Sequence, residues 1–201
     1  MAERDDLTTY ARIRNAALEL FATRGVKPTT IRDVAAAARV SPGLVQHHFG
    51  TKAKLRQAVD EHVLEHAART VGELPPPSDF ETRANAFGER MAAVVRDHPM
   101  NLLYVARAAA DGDETGLATF EAIAKLGRAG LEELEREGAI AEDVDLEWYA
   151  LHMTVFNLGT LLFERAITRT LGKPLLSERE LERWRESATW MFTRPLRRDA
   201  R

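Results

Sequence analysis

Cysteine is absent from the sequence. Disulfides, thiolate nucleophiles and thiolate metal ligands are excluded, and a reducing cytoplasm is the simplest setting for the chain. Long apolar runs are missing too. The best candidate, around Leu151 to Phe163, is interrupted by His152, Thr154, Asn157 and Thr160, well short of the roughly 18 residues a membrane span needs. The first ten residues, MAERDDLTTY, put no apolar stretch after their charges and do not read as a signal peptide. Runs of alternating polarity are almost absent, so strands are not expected. Gly-rich phosphate loops, Ser/His/Asp constellations, heptad arrays and internal repeats are also missing.

What remains is a chain of 201 residues that is 45% hydrophobic, enough for a real core. Its net charge of −3 is unevenly spread. Residues 1–56 hold 10 of the 28 Lys and Arg but only 5 of the 31 Asp and Glu. A basic head on an acidic body fits a DNA reader joined to a separate module.

Helical periodicity runs nearly end to end, punctuated by caps, Gly and Pro, and predicts an all-α fold of about nine helices. The first starts near Thr8 or Thr9, buries Ile13, Ala17, Leu20 and Phe21, and stops at Gly25. Thr30 with Asp33 forms a capping box for the second, Ser41 caps the third with Pro42 in its first turn, and Thr51 caps the fourth. Pro75, Pro76 and Pro77 make the clearest break. Ser78 with Glu81 opens the fifth helix, Pro99 divides it from the sixth, and Asp111-Gly112-Asp113 is a loop before the seventh. The eighth is expected to run from Asp145 to Leu171. Ser177 with Glu180 opens the ninth, and the tail from Arg197 is expected to fray. The domain division follows: residues 1–52 as a DNA-binding head, residues 53–201 as a helical body.

Residues Thr29 to Lys52 read TTIRDVAAAARVSPGLVQHHFGTK. Two short helices joined by a tight turn form a helix-turn-helix, whose second helix enters the major groove. The outward residues of that helix, Pro42, Gly43, Gln46 and His47, are small or polar. Gln46 can read adenine, and His47 can donate to a phosphate or a base. Val40, Val45 and Phe49 face inward.

The pattern Gly25, Thr29-Thr30-Ile31, Val34-Ala35, Val40-Ser41-Pro42-Gly43, His48-Phe49 and Lys52 resembles the TetR family of bacterial transcriptional regulators. The resemblance covers about the first quarter of the chain. It implies that Thr30 and Lys52 hold phosphates, that Arg32 reaches a base or phosphate, and that Pro42, Gly43 and Leu44 lie against the groove beside Gln46 and His47. It further implies a dimer on a near-palindromic operator, released by a small effector, with repressor favoured over activator. Two positions depart from the pattern. Arg39 occupies a turn position where Gly is frequent, and Gln46 stands where Tyr is frequent.

Other readings compete. His62, Glu65 and His66 match H-x-x-E-H, in which two histidines one helical turn apart hold zinc and the glutamate is a base; a zinc hydrolase is the alternative this suggests. An architectural DNA-binding protein without effector would leave the acidic body little to do. For the favoured reading no cofactor or metal is needed. The effector is expected among helices five to eight, near Met91, Tyr104, Arg107, Phe120, His152 and Asn157, with Arg107 hinting at an anion. The last two helices, carrying Trp148, Phe156, Leu158, Leu162, Trp184, Met191 and Phe192, are the expected dimer interface.

Overall fold

The computed structural model describes residues 2–72, 80–112, 114–138, 140 and 143–193, and among these there are ten α-helices and no strand. The helices are α1 (Ala2–Arg24), α2 (Ile31–Ala38), α3 (Pro42–Phe49), α4 (Lys52–Gly72), α5 (Phe80–Asp97), α6 (Pro99–Ala110), α7 (Glu114–Arg136), α8 (Leu146–Leu162), α9 (Glu164–Leu171) and α10 (Glu178–Thr193). The proline run, the Ser78–Glu81 box, Asp113 and the tail from Arg197 lie outside the described residues or the side chains described.

Two sequence expectations are corrected at the C-terminal end. The long eighth helix is two helices. Phe163 leaves helical dihedrals at φ −101° and ψ 14°, and α9 starts after it. The boundary carries neither Pro nor Gly, and Phe163 offers no side-chain cap, so no residue type marks it. The Ser177–Glu180 box does not form either. The Ser177 hydroxyl donates to the Pro174 carbonyl at 2.7 Å, and the buried Glu180 carboxylate pairs with Lys173 and Arg183.

One apolar cluster runs through the molecule. It begins in the head with Ile13, Phe21, Val34, Val45 and Phe49, passes through Leu55, Val59 and Val63 of α4, and continues to Val95, Tyr104, Leu158 and Leu181. Each large side chain buried in this way contributes about 1.5–3 kcal/mol. A second, smaller cluster of Leu131, Ile140 and Ala150 sits where α7 meets α8. α6 packs on α1, α7 and α8, so it joins head to body together with α4, which packs on α1 and α7. The contact of α6 with α7 is very close. A Cβ on Gly116 would lie 2.3 Å from the Ala108 carbonyl oxygen, which only glycine avoids.

Candidate nucleic-acid interface and effector cavity

The head is set by local chemistry. α1 ends at Gly25, whose φ of +94° turns the chain back. The buried Thr29 hydroxyl donates to the Gly25 carbonyl at 2.8 Å and clasps this turn, a role the sequence pattern alone did not assign. Thr30 and Asp33 form the full capping box: the Asp33 N–H donates to the Thr30 hydroxyl at 3.1 Å, and the Thr30 N–H donates to the Asp33 carboxylate at 2.8 Å. The hydrogen bonds from Thr30 hold the Asp33 carboxyl below its usual range. Ser41 accepts from the Leu44 N–H, and Thr51 from the Lys54 N–H.

Between α2 and α3, Arg39 lies at φ 55° and ψ 48°, the left-handed region. Among the described residues it is the only non-glycine with positive φ. A left-handed L-residue costs roughly 1–2 kcal/mol. The packing of Val34, Ala35, Ala38, Val45 and Phe49 over-determines the turn and holds it there. Tyr10 of α1 stacks on Phe49 with ring centroids 4.5 Å apart and meets His48 edge-on.

The resulting outer face presents Thr30, Arg32, Pro42, Gly43, Gln46 and His47 as exposed residues, with Leu44 half-buried at its edge. Lys52 stands at the start of α4, where its ammonium donates to the Lys27 carbonyl at 3.1 Å. It thus ties α4 to the α1–α2 loop as well as placing a charge at this face.

Behind the head, two polar links bind α6 to the elements that carry the face. The Tyr104 hydroxyl donates to Asp60 of α4 at 2.5 Å, and Arg56 donates to Tyr104 at 3.3 Å. Burial and the Asp60 hydrogen bond push the Tyr104 phenol far above its ordinary range. Arg107 donates to the Ala22 carbonyl of α1 at 2.7 Å. Neither residue lines the cavity of the helical body. Arg107 is corrected from an anion-binding group to a brace on the last turn of α1.

A cavity of about 100 Å³ lies among α4, α5, α6, α7 and α8. Its wall is mainly apolar, with Val63, Met91, Val105, Ile123, Met153 and Leu158, and its polar members are His66, Asn101, Thr154 and Asn157. Met91 and Asn157 thus sit where a ligand was expected. Tyr104, Arg107, Phe120 and His152 do not: Phe120 packs against the main core, and His152 is exposed beside Trp148 at 5.5 Å. His66 and Asn101 were missed, although a histidine and an amide on otherwise apolar helix faces were visible signals.

The His62 and His66 rings meet edge-on with centroids 5.0 Å apart, and His66 lies 4.3 Å from His98. Burial, Arg14 and His66 lower His62 to about 4. Burial, then His98 and Arg69, lower His66. Glu65 is paired with Arg69. No group of three or more His, Cys, Asp or Glu among the described residues could hold a metal ion, so the zinc-hydrolase alternative finds no support.

On α8, Trp148, Val155 and Leu162 recur every seven residues and are 60%, 57% and 37% exposed. Phe163, Trp190 and Met191 extend the exposed apolar surface. Leu158 is corrected: at 5% exposed it belongs to the core. Phe156 stacks on Trp184 and meets Phe192 edge-on, and the Trp184 indole donates to Thr160, so these rings bind α8 to α10 within the chain.

A helix-turn-helix head fused to a helical body with a cavity defines a class of bacterial regulators. Residues 13–59 match the family described as bacterial regulatory proteins, tetR family. The chain is 32% identical over 157 residues to the HTH-type transcriptional regulatory protein RaaS of Mycobacterium tuberculosis, covering 78% of this chain and 71% of that one. It is 39% identical over 87 residues to an HTH-type transcriptional repressor of the same organism, a match that spans 43% of this chain and about half, 46%, of that relative. In fold it resembles Salmonella enterica GusR, with TM-score 0.70, 23% identity and coverage of 94% and 96% of the two chains. A Clostridium perfringens putative fatty acid metabolism regulator gives TM-score 0.74 at 17% identity, over 92% and 98%. The chain belongs to the TetR family of regulatory proteins.

Proposed function

We propose that the protein is a sequence-specific DNA-binding regulator, a repressor that leaves a near-palindromic operator when a small molecule occupies the cavity. The observation that carries this is the exposed α2–α3 face, held rigid by two caps and the left-handed Arg39, with Gln46 and His47 outward and Lys52 behind. Thr30, Arg32 and Lys52 hold the backbone, while Pro42, Gly43 and Leu44 let α3 approach the groove and Gln46 and His47 meet base edges. Such a head binds weakly alone, so two copies act together about a two-fold axis. The heptad stripe of Trp148, Val155 and Leu162 with Trp190 and Met191 is the surface that joins them. No helix among the described residues is long and apolar enough to cross a membrane, which accords with work in the cytoplasm on DNA.

The switch runs through α4. Its 21 residues span about 30 Å. It carries Lys52 at the head and Val63, His66 and Ala67 at the cavity wall. An effector that prefers the DNA-incompetent arrangement shifts the population, and operator must weaken effector by the same factor. The deciding experiment selects bound sequences from a random duplex library. Enrichment of an inverted repeat supports the proposal; uniform recovery of all sequences rejects it.

A further inference from the structure

If the cavity is the effector site, its wall restricts what the effector can be. Among the described residues no Asp, Glu, Lys or Arg lines it, and the one titratable member among them, His66, is held below its usual range chiefly by burial, so it is neutral near pH 7. A carboxylate or ammonium entering here would lose its hydration without gaining a counter-charge.

The polar groups of the wall are unequal. Thr154 gives its hydroxyl proton to the Ala150 carbonyl, and Asn157 gives an amide N–H to the Met153 carbonyl. Both satisfy their own helix. Asn101 does not. It is 6% exposed, it lines the cavity, and its side-chain amide has no hydrogen-bond partner among the described residues. The amide lines the cavity and offers a donor and an acceptor side by side.

We infer that the cavity takes an uncharged, largely apolar molecule carrying one neutral hydrogen-bonding head, such as a carboxamide or alcohol, and that the Asn101 side chain is the group that reads this head. Asn101 sits in the first turn of α6, the helix that braces α1 through Arg107 and α4 through Tyr104, so the recognised head acts on an element that joins body to DNA face.

The test uses four eight-carbon probes of equal reach: octanamide, 1-octanol, octanoate and octylammonium, titrated calorimetrically into the full-length protein at pH 7.5. The two neutral probes should bind at least about tenfold more tightly than either ion. Asn101→Leu should weaken octanamide by about tenfold while melting no lower than the parent, because the side chain it replaces makes no hydrogen bond within the described residues. Gly127→Leu locates the site. Gly127 lines the cavity and a Cβ there meets nothing within 4 Å, so the added side chain should be accommodated and weaken every probe. Ions that bind as tightly as neutral probes, an unchanged octanamide affinity in Asn101→Leu, or unaltered binding in Gly127→Leu overturn the inference. If ions bind and also release operator, the effector site stands and only the ligand class is wrong. If no probe binds, both readings fall.

Discussion

The Tyr104 hydroxyl lies 2.5 Å from the Asp60 carboxylate, joining α6 to α4 at the centre of the molecule. Tyr104 is 1% exposed, and its ring lies 6.3 Å from Phe21 of α1. Tyr104→Phe removes the donor and strands a buried acceptor, at a cost of about 1–3 kcal/mol. Urea unfolding should show the unfolding free energy fall by that amount, through a lower midpoint at unchanged slope. Wild-type stability in this variant would mean that Arg56 alone satisfies Asp60.

Arg39 stores strain that glycine would release. Arg39→Gly should gain roughly 1 kcal/mol after the added flexibility of the unfolded chain is offset against the 1–2 kcal/mol of left-handed strain. Arg39→Ala should gain nothing, which separates backbone from charge. Melting temperatures a few degrees apart would show it, and a Gly variant no more stable than Ala would refute it.

Lys52 and Gln46 should separate by salt. Lys52→Ala should weaken binding to every duplex and reduce the salt slope by about 1, whereas loss of its Lys27 contact alone would leave the slope intact. Gln46→Ala should change preference at one base position per half-site by about 1–3 kcal/mol. Equal weakening on all sequences would instead put Gln46 on the backbone.

Assembly is best tested at Val155, 57% exposed on the α8 stripe. Val155→Glu should yield folded monomers by light scattering and lose specific DNA binding. Leu158→Glu, three residues on, should unfold the chain instead, since Leu158 is core. A dimeric Val155→Glu protein would move the interface elsewhere.

His62 gives a pH window. Its folded value, about 4, lies below the ordinary 6.5, so the unfolded chain takes up the proton first. Above pH 6.5 both states are neutral and nothing is lost; stability falls as pH drops from 6.5 towards 4. Arg14, His66 and His98 oppose the charge and Glu65 favours it. His62→Gln should flatten that decline, which melts at pH 7.5 and 5 would reveal.

The head was legible because its determinants are local. Thr30 with Asp33, and Ser41, act within one helical turn, and Arg39 at a position where glycine is frequent pointed to the turn without deciding between strain and a different turn. Arg107 was misread because periodicity shows that a side chain points inward but not which helix meets it; the Ala22 carbonyl is 85 residues away. Leu158 and Val155 were not separable because α8 is apolar around most of its circumference, so spacing does not distinguish the face turned to α6 from the exposed one. The break at Phe163 has no local chemistry to read.

The continuous core has a consequence for attempts to re-address this regulator. The boundary proposed near residue 52 does not divide folding units, because Phe21 and Ala22 rest on Tyr104 and Arg107. A chimera that grafts residues 1–52 of a relative onto this body would bring a foreign α1 against α4 and α6. Such grafts should fail unless the α1 residues facing Tyr104 and Arg107 travel with their partners. New operator specificity is more safely built by changing only the outward side chains of α3.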